Sequence, residues 1–239
     1  MKKNSILPAF VYPPTGIPYP FAKCLEQSRA ADNRILPMMG KTSARMNHAR
    51  TENGIEFLAS QAEWIFLVDT DHIWEPMAIT NLLRTALKLK VKAVSGLTFM
   101  VKNDGRIIPH AYMNNEEGLE PFVQLPTMEE PFRVDAVGGA CFLVHRDVYQ
   151  TLAAAAPEGT FPWQDEQLAT DPNSPSGGLS MRGEDLTFCS RINQAGYEIW
   201  YEPRVEFPHM KMKVFGVREY SSFLSVLLED YGNLHEPQL

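Results

Sequence analysis

The chain has 239 residues, of which 44% are hydrophobic, 10% aromatic and 21% charged, and its formal charge at pH 7 is −7. These proportions exclude a disordered chain, a collagen-like repeat and a disulfide-rich scaffold. The length suits one large α/β domain with a substantial core. The negative charge argues weakly against a surface devoted to nucleic acid or anionic lipid, because Lys and Arg supply most phosphate contacts.

The cysteines and the pattern of the first residues indicate a reducing, cytoplasmic environment. Cys24, Cys141 and Cys189 are widely spaced among apolar neighbours, so we expect reduced core residues and neither a zinc knuckle nor a redox pair. Pro8 and Pro13 interrupt the apolar stretch after the first lysines, which excludes a signal peptide pattern. No apolar run approaches the roughly 20 residues that span a bilayer. We therefore predict a soluble, cytoplasmic protein with no transmembrane segment.

The first part of the chain alternates between strand and helix patterns. Continuous apolar runs such as WIFLV are typical of strands that are buried on both faces. Strands are predicted at 6–12, 35–40, 64–68 and 92–101, and helices at 20–31, 43–62 and 77–89. This alternation builds a mostly parallel sheet flanked by helices.

The order changes after about residue 102, where a smaller mixed β region is expected. Short strands are predicted at 106–112 and 121–126, a strand and then a helix over 133–156, a helix over 183–196 and a strand over 197–203. The stretch 157–183 is rich in Pro, Gly, Ser and Asp, which predicts a long loop of the kind that forms a lid or binding loop.

The sharpest chemical signal is the sequence Asp69-Thr70-Asp71, which directly follows the buried run. Ligands of open α/β sheets bind at the carboxyl ends of the strands. In an extended segment, Asp69 and Asp71 point to the same side and offer two hard oxygen donors to Mg²⁺ or Mn²⁺. The alternative is a turn that ends the strand, in which an aspartate caps the next helix.

Two further signals lie in the second part of the chain. Glu184 and Asp185 follow a glycine at the start of a predicted helix, where the helix dipole alone would also favour acidic residues. His209 lies just beyond a predicted strand, beside Lys211 and Lys213, which predicts an anion or metal site. A surface histidine or a satisfied core histidine is the alternative for His209.

Taken together, these segments resemble glycosyltransferase family 2 and related GT-A-fold nucleotide-sugar transferases. The matching segments are WIFLVDTD, VDAVGGACFLVHRDVY, GEDLTFCSRINQAGYEIWYEP and the histidine of EFPHMK. The resemblance implies a GT-A catalytic domain over 1–219, of the compact type found in phage and bacterial pathways. Its nucleotide-binding half would cover about 1–101 and its acceptor half about 102–219, followed by a C-terminal helical tail over 220–239.

The resemblance also implies roles for the acidic residues. Asp71 would ligate a divalent cation, Mn²⁺ or Mg²⁺, on the donor diphosphate, and Asp69 would assist at the metal or contact the ribose. His209 would be a further metal or phosphate ligand. Asp185 matches the family's general base, with Glu184 beside it.

Other residues are candidates for substrate contacts. The predicted donor contacts are Pro13, Thr15, Arg50, Asn53, Asp69, Thr70 and Lys211, and the predicted sugar or acceptor contacts are Gly138, Gly139 and Trp163. Arg45 with Asn47 is an alternative to the pair Arg50 and Asn53. Packing at a strand is the alternative for the two glycines, and a solvated loop is the alternative for the segment around Trp163. The second predicted strand ends in MMG without the acidic residue that reads uracil in many relatives, so the nucleotide stays open, with a UDP-sugar favoured.

The predicted function is a metal-dependent glycosyltransferase that moves a sugar from a nucleotide-diphosphate sugar to an acceptor hydroxyl, inverting the anomeric centre in a single displacement. A retaining transferase on the same fold, a nucleotidyltransferase and a non-catalytic carbohydrate-binding module are the alternatives. The sequence leaves the acceptor open, and a glycan, a protein side chain and a modified nucleobase are the candidates. The apolar residues of 220–239 would cover the core, join a second subunit in a homo-oligomer or lie on a membrane surface.

Overall fold

The structure is a computed structural model that describes residues 2–42, 45–101, 106–115, 118–122, 129–157, 163–165, 167–170 and 179–211. For 167–170 and 179–182 it describes the backbone alone. Contacts divide the chain into two compact units, Met1–His209 and Met210–Leu239. Every element named below belongs to the first unit. The tail predicted over 220–239 lies outside the described residues.

The centre of the first unit is a seven-stranded sheet. Its strands, in spatial order, are β2 (Met39–Lys41), β1 (Ile6–Val11), β3 (Trp64–Asp69), β11 (Cys141–His145), β4 (Ala93–Leu97), β14 (Ile199–Glu206) and β9 (Phe132–Val134). Strands β11 and β9 pair antiparallel with their neighbours, and the other strands run in one direction. The predicted α/β class with a mostly parallel sheet is confirmed.

Strand β3 lies in the middle of the core, as its unbroken apolar run predicts. Its residues from Trp64 to Val68 are all buried, between β1 on one side and β11 on the other. Successive side chains of a strand point to opposite faces, so Ile65 and Leu67 pack in one apolar layer while Phe66 packs in the other. Each such side chain contributes about 1.5–3 kcal/mol by leaving water.

Helices cover both faces of the sheet. They are α1 (Tyr19–Ala31), α2 (Met46–Ala59), α3 (Ala78–Leu89), α4 (Arg146–Ala155) and α5 (Glu184–Gln194). Helices α1 and α3 share one apolar layer, and α2, α4 and α5 share the other. Helix α5 ends before Gly196, whose φ of +84° is a conformation that glycine adopts without strain. Within the described residues, no helix has the length and hydrophobicity to cross a membrane.

Helix α2 ends at Ala59, earlier than its sequence pattern predicts, and Arg146 binds its last turn. The Arg146 guanidinium donates hydrogen bonds to the carbonyls of Phe57, Leu58 and Ala62 at 2.7, 3.0 and 2.7 Å. It also lies 4.7 Å from the centre of the Phe57 ring. A cation at the carboxyl end of a helix satisfies carbonyls that have no partner within the helix. Arg146 thus fixes the helix that carries Arg50.

Short strands form the predicted mixed β region. They are β5 (Phe99–Val101), β6 (Ile107–Pro109), β7 (Ala111–Asn115), β8 (Gly118–Pro121) and β10 (Ala136–Val137). The strand predicted over 92–101 divides at Thr98, whose carbonyl accepts a hydrogen bond from the His110 backbone at 2.9 Å. This bond brings His110, between β6 and β7, to the end of β4.

Two predictions about loops and cysteines have clear outcomes. The continuous loop predicted over 157–183 is wrong in part, because β12 (Gln167–Thr170) pairs antiparallel with β13 (Leu179–Arg182). Most of the Pro, Gly and Ser residues that suggested a loop lie between these strands, at 171–178, outside the described residues. The prediction for the cysteines is confirmed, since all three are buried and free of disulfides.

Candidate active site

The candidate site lies at the carboxyl end of β3. This strand ends at Asp69, and the loop that follows carries Asp71 and His72. A backbone bridge pairs His72 with His209, which follows β14 along the chain. Two segments that are far apart in sequence are therefore fixed side by side.

Asp71, His72 and His209 form a compact cluster whose ligand atoms lie within 4.8 Å of one another. Asp71 Oδ2 lies 2.7 Å from His209 Nε2, and Asp71 Oδ1 lies 3.0 Å from His72 Nδ1. The other ring nitrogen of His209, Nδ1, lies 2.9 Å from the carbonyl oxygen of Phe99. The two imidazole rings stack with centres 4.4 Å apart and planes inclined by 17°.

This cluster favours the ionised form of Asp71. Burial disfavours the charged carboxylate, but the hydrogen bonds from His72 and His209 outweigh burial and hold the pKa of Asp71 well below its usual range. His72 is only 2% exposed, and its Nε2 has no hydrogen-bond partner among the described residues. A buried nitrogen without a hydrogen-bond partner destabilises the fold, so its presence here indicates a functional role for His72.

Arg50 of α2 connects the end of β3 to the start of α5. Its guanidinium lies 2.7 Å from Asp69 Oδ1 and 2.9 Å from Glu184 Oε1, and the residue is 5% exposed. Burial disfavours the charged guanidinium, but the carboxylates of Asp69, Glu184 and Asp185 outweigh it and raise the pKa of Arg50. Burial is also the largest influence on Glu184, and it raises the pKa of that carboxyl. Arg50 thus neutralises a dense group of acidic side chains.

Asp185 lies in the first turn of α5, where backbone N–H groups orient its carboxylate. Its Oδ2 accepts a hydrogen bond from the Gly139 backbone at 3.2 Å, and its Oδ1 accepts one from the Leu186 backbone at 2.7 Å. A side chain at Gly139 would collide with the Arg50 guanidinium, and one at Gly138 would collide with the His110 ring. The glycine pair therefore brings the backbone close to both side chains.

The remaining predicted residues have varied surroundings. Asn53 is fully buried and donates a hydrogen bond to the Phe10 carbonyl at 3.3 Å. Pro13 and Thr15 are exposed just beyond β1. Thr70 is buried within the loop after β3. Their roles in binding the donor remain predictions.

Two predicted contacts sit differently from the rest. Trp163 is 2% exposed, packs against Tyr149 and Gly54, and donates from Nε1 to the Tyr149 carbonyl at 3.2 Å. Both the ring and its N–H are thus engaged within the protein, and the role of Trp163 as an acceptor contact remains a prediction. Lys211 belongs to the second unit, and its role as a donor contact remains a prediction.

The sequence analysis missed two histidines of the site. His72 directly follows the Asp-Thr-Asp motif, so its place beside a candidate metal-binding motif could have identified it. His110 lies in the segment RIIPHAY, which carries no motif. Only the fold brings its ring against Gly138 and within electrostatic range of Asp69 and Asp185.

Comparisons with known proteins bear on this site. The model of the family described as "Glycosyltransferase like family 2" matches residues 25–223. No curated protein sequence matches the chain. The crystal structure of A197 from STIV is similar over 89% of this chain and 97% of its own, with a TM-score of 0.50 and 11% identity.

A second solved structure, GalNAc-T7 with UDP, GalNAc and Mn²⁺, is similar over 93% of this chain and 48% of its own, with a TM-score of 0.52 and 13% identity. At these identities the likeness shows the fold, and the predicted GT-A fold is confirmed. The family match covers most of the chain and includes both acidic motifs and His209. The protein belongs to the glycosyltransferase-like family 2 and is a glycosyltransferase.

Proposed function

We propose that this glycosyltransferase uses a nucleotide-diphosphate sugar and binds a divalent cation through Asp71, His209 and His72. The observation that carries the proposal is the orientation of His209. A carbonyl oxygen can only accept a hydrogen bond, so the proton of His209 Nδ1 points to Phe99, 2.9 Å away. His209 Nε2 then faces an Asp71 oxygen 2.7 Å away, so this nitrogen and the carboxylate meet at one point, where either a proton or a cation can bind between them.

The donor set fits a transition-metal ion better than Mg²⁺. Asp71 offers carboxylate oxygens, while His72 and His209 offer imidazole nitrogens. Imidazole ligands are less suited to Mg²⁺ than to Mn²⁺ and the later metals. The bond from His209 Nδ1 to the Phe99 carbonyl is the kind of outer contact that fixes the tautomer of a metal-ligating histidine. When bound, the cation would neutralise charge on the leaving diphosphate.

The role of Asp69 is separate from that of Asp71 in this proposal. Asp69 forms an ion pair with buried Arg50, which orients its carboxylate at the end of β3. We propose that Asp69 contacts the ribose or assists at the metal from this fixed position. The nucleotide would be contacted by Pro13, Thr15 and Asn53. We propose uracil as its base, because GalNAc-T7, a protein of the same fold, was solved with UDP.

Asp185 is the proposed general base. Two backbone N–H groups hold its carboxylate at the start of α5. A carboxylate at this place takes the proton of the acceptor hydroxyl as the oxygen attacks the anomeric carbon from the side opposite the diphosphate, which inverts that carbon. The ion pair of Glu184 with Arg50 leaves Asp185 as the acidic side chain available for this step.

Calorimetry and turnover test the proposal. Wild-type protein is titrated with UDP, GDP, CDP, dTDP and ADP, with and without Mn²⁺, and hydrolysis or transfer of the matching nucleotide sugar is followed. Asp185→Asn should keep nucleotide binding and lower turnover by about 10²–10⁴-fold. Asp147→Asn is the control, since Asp147 is half exposed at the start of α4, beyond the opposite end of β3. Full turnover in Asp185→Asn would eliminate Asp185 as the base, and a retained anomer in the product would eliminate single displacement.

A further inference from the structure

We propose that His110 hydrogen-bonds the transferred sugar of the donor and so sets which sugar the enzyme accepts. The proposal rests on the function proposed above, because it assigns a residue to the sugar part of that donor. The first observation is the position of the His110 ring, at a residue that belongs to no sequence motif.

The backbone holds His110 at the junction of three segments. Its N–H donates to the Thr98 carbonyl at 2.9 Å, and its carbonyl accepts from the Gly138 backbone at 3.0 Å. Its ring occupies the space where a side chain at Gly138 would lie. The ring is therefore fixed over the glycine pair, where Gly139 also donates to the carboxylate of Asp185.

The ring lies within electrostatic range of residues from both proposed halves of the reaction. The charges of Asp185, the proposed base, and of Asp69, on the donor side, both act on His110. The transferred sugar must lie between these same groups, because its anomeric carbon faces the diphosphate on one side and the attacking hydroxyl on the other. The His110 ring packs over Gly138, next to the glycine whose N–H binds Asp185, so it lies beside the place where this sugar would bind.

The chemistry of the ring suits a sugar hydroxyl. Burial lowers the pKa of His110, and the charges of His72 and Arg50 lower it further, while those of the two aspartates oppose this shift. A neutral imidazole offers one N–H donor and one lone-pair acceptor, which matches a hydroxyl group or a pair of adjacent hydroxyls. Among the described residues, neither ring nitrogen has a hydrogen-bond partner, and the residue is partly exposed. The ring can therefore offer a nitrogen to a hydroxyl of a bound sugar.

The test separates binding of the nucleotide from binding of the sugar. With Mn²⁺ present, calorimetry compares the nucleoside diphosphate that binds wild-type protein with its sugar conjugates, for example UDP with UDP-GalNAc, UDP-GlcNAc and UDP-glucose. In His110→Ala the diphosphate should bind as in wild type, and the preferred sugar conjugate should bind about three- to tenfold more weakly. His110→Gln keeps a donor and an acceptor, so it should recover part of the loss.

Two further variants sharpen this test. Gly138→Ala places a methyl group where the ring lies and should reproduce the selective loss. Met113→Ala is the matched control on β7, because Met113 is 36% exposed, and it should change neither affinity. Equal losses for diphosphate and conjugate in His110→Ala, or no loss for any conjugate, would overturn the role of His110. If wild-type protein binds none of the diphosphates, the proposed function itself fails and this proposal fails with it.

Discussion

Replacing Arg50 with methionine should destabilise the fold more than most single substitutions. The side chain is 6% exposed and pairs at 2.7 Å with Asp69 and at 2.9 Å with Glu184, whose side chains are 30% and 16% exposed. Methionine keeps the apolar stem but leaves both carboxylates without their cation. Removing one partner of a buried ion pair costs about 3–5 kcal/mol. Because Asp69 retains contact with water, we expect about 3 kcal/mol.

Urea denaturation of Arg50→Met measures this loss, with Arg133→Met as the control. Arg133 is 56% exposed and lies 3.7 Å from Glu198, so its removal should cost less than about 1 kcal/mol. The loss in Arg50→Met should also depend on pH. Without the cation the pKa of Glu184, already raised by burial, rises further, so the folded variant binds protons more readily than its unfolded chain. Its deficit should therefore grow from pH 5 to pH 7. Equal losses in the two variants, or a deficit independent of pH, would refute this reasoning.

Other substitutions test the scaffold around the site. Arg146→Met removes the cation from the end of α2 and should lower the free energy of unfolding, measured in urea, by about 2–3 kcal/mol. Arg84→Met is the control, because Arg84 is exposed and bonds only to Asn81 among the described residues. An equal loss in both variants would contradict the capping role. Hydrogen bonds from Arg34 hold the pKa of Asp32 below its usual value, so they stabilise the fold above about pH 4 and are lost as the pH falls further. Asp32→Asn should cost about 1–3 kcal/mol at pH 7, and a deficit that persists unchanged at pH 3 would count against this coupling.

The sequence predicted the central sheet because its signals are local. The continuous apolar run before Asp69 requires burial on both faces, and the structure buries every residue of it. The bounds of the helices were less predictable, since contacts from distant segments set them. Arg146, for example, binds the end of α2 although the two are far apart in sequence. Hydrophobic spacing carries no information about such a bond.

The site was predictable in its acidic residues and less so in its histidines. Asp69 and Asp71 lie at the end of a strand and Asp185 lies in the first turn of a helix, and these positions can be predicted from the sequence. Their partners depend on the fold. The pairing of Asp69 with Arg50 and the stacking of His72 on His209 join segments that only the folded sheet brings together.

The same limit applies to the glycine pair. The sequence suggested close approach of the backbone at Gly138 and Gly139, and alternatively simple packing at a strand. In the structure, the space beside each glycine is filled by a side chain of the site, His110 for Gly138 and Arg50 for Gly139. That arrangement depends on tertiary contacts, so the identity of the neighbours was not available from spacing.

The central claim is that Asp71 and His209 bind a divalent cation together with the donor diphosphate. The most direct measurement is Mn²⁺ binding followed by electron paramagnetic resonance, with and without the nucleoside diphosphate that binds wild-type protein in calorimetry. It compares wild type, His209→Ala and the control Asp147→Asn. Wild type and the control should bind Mn²⁺ at least about tenfold more tightly when the nucleotide is present, and His209→Ala should lose this gain. Equal Mn²⁺ affinity in all three proteins, with the nucleotide bound, would contradict the claim.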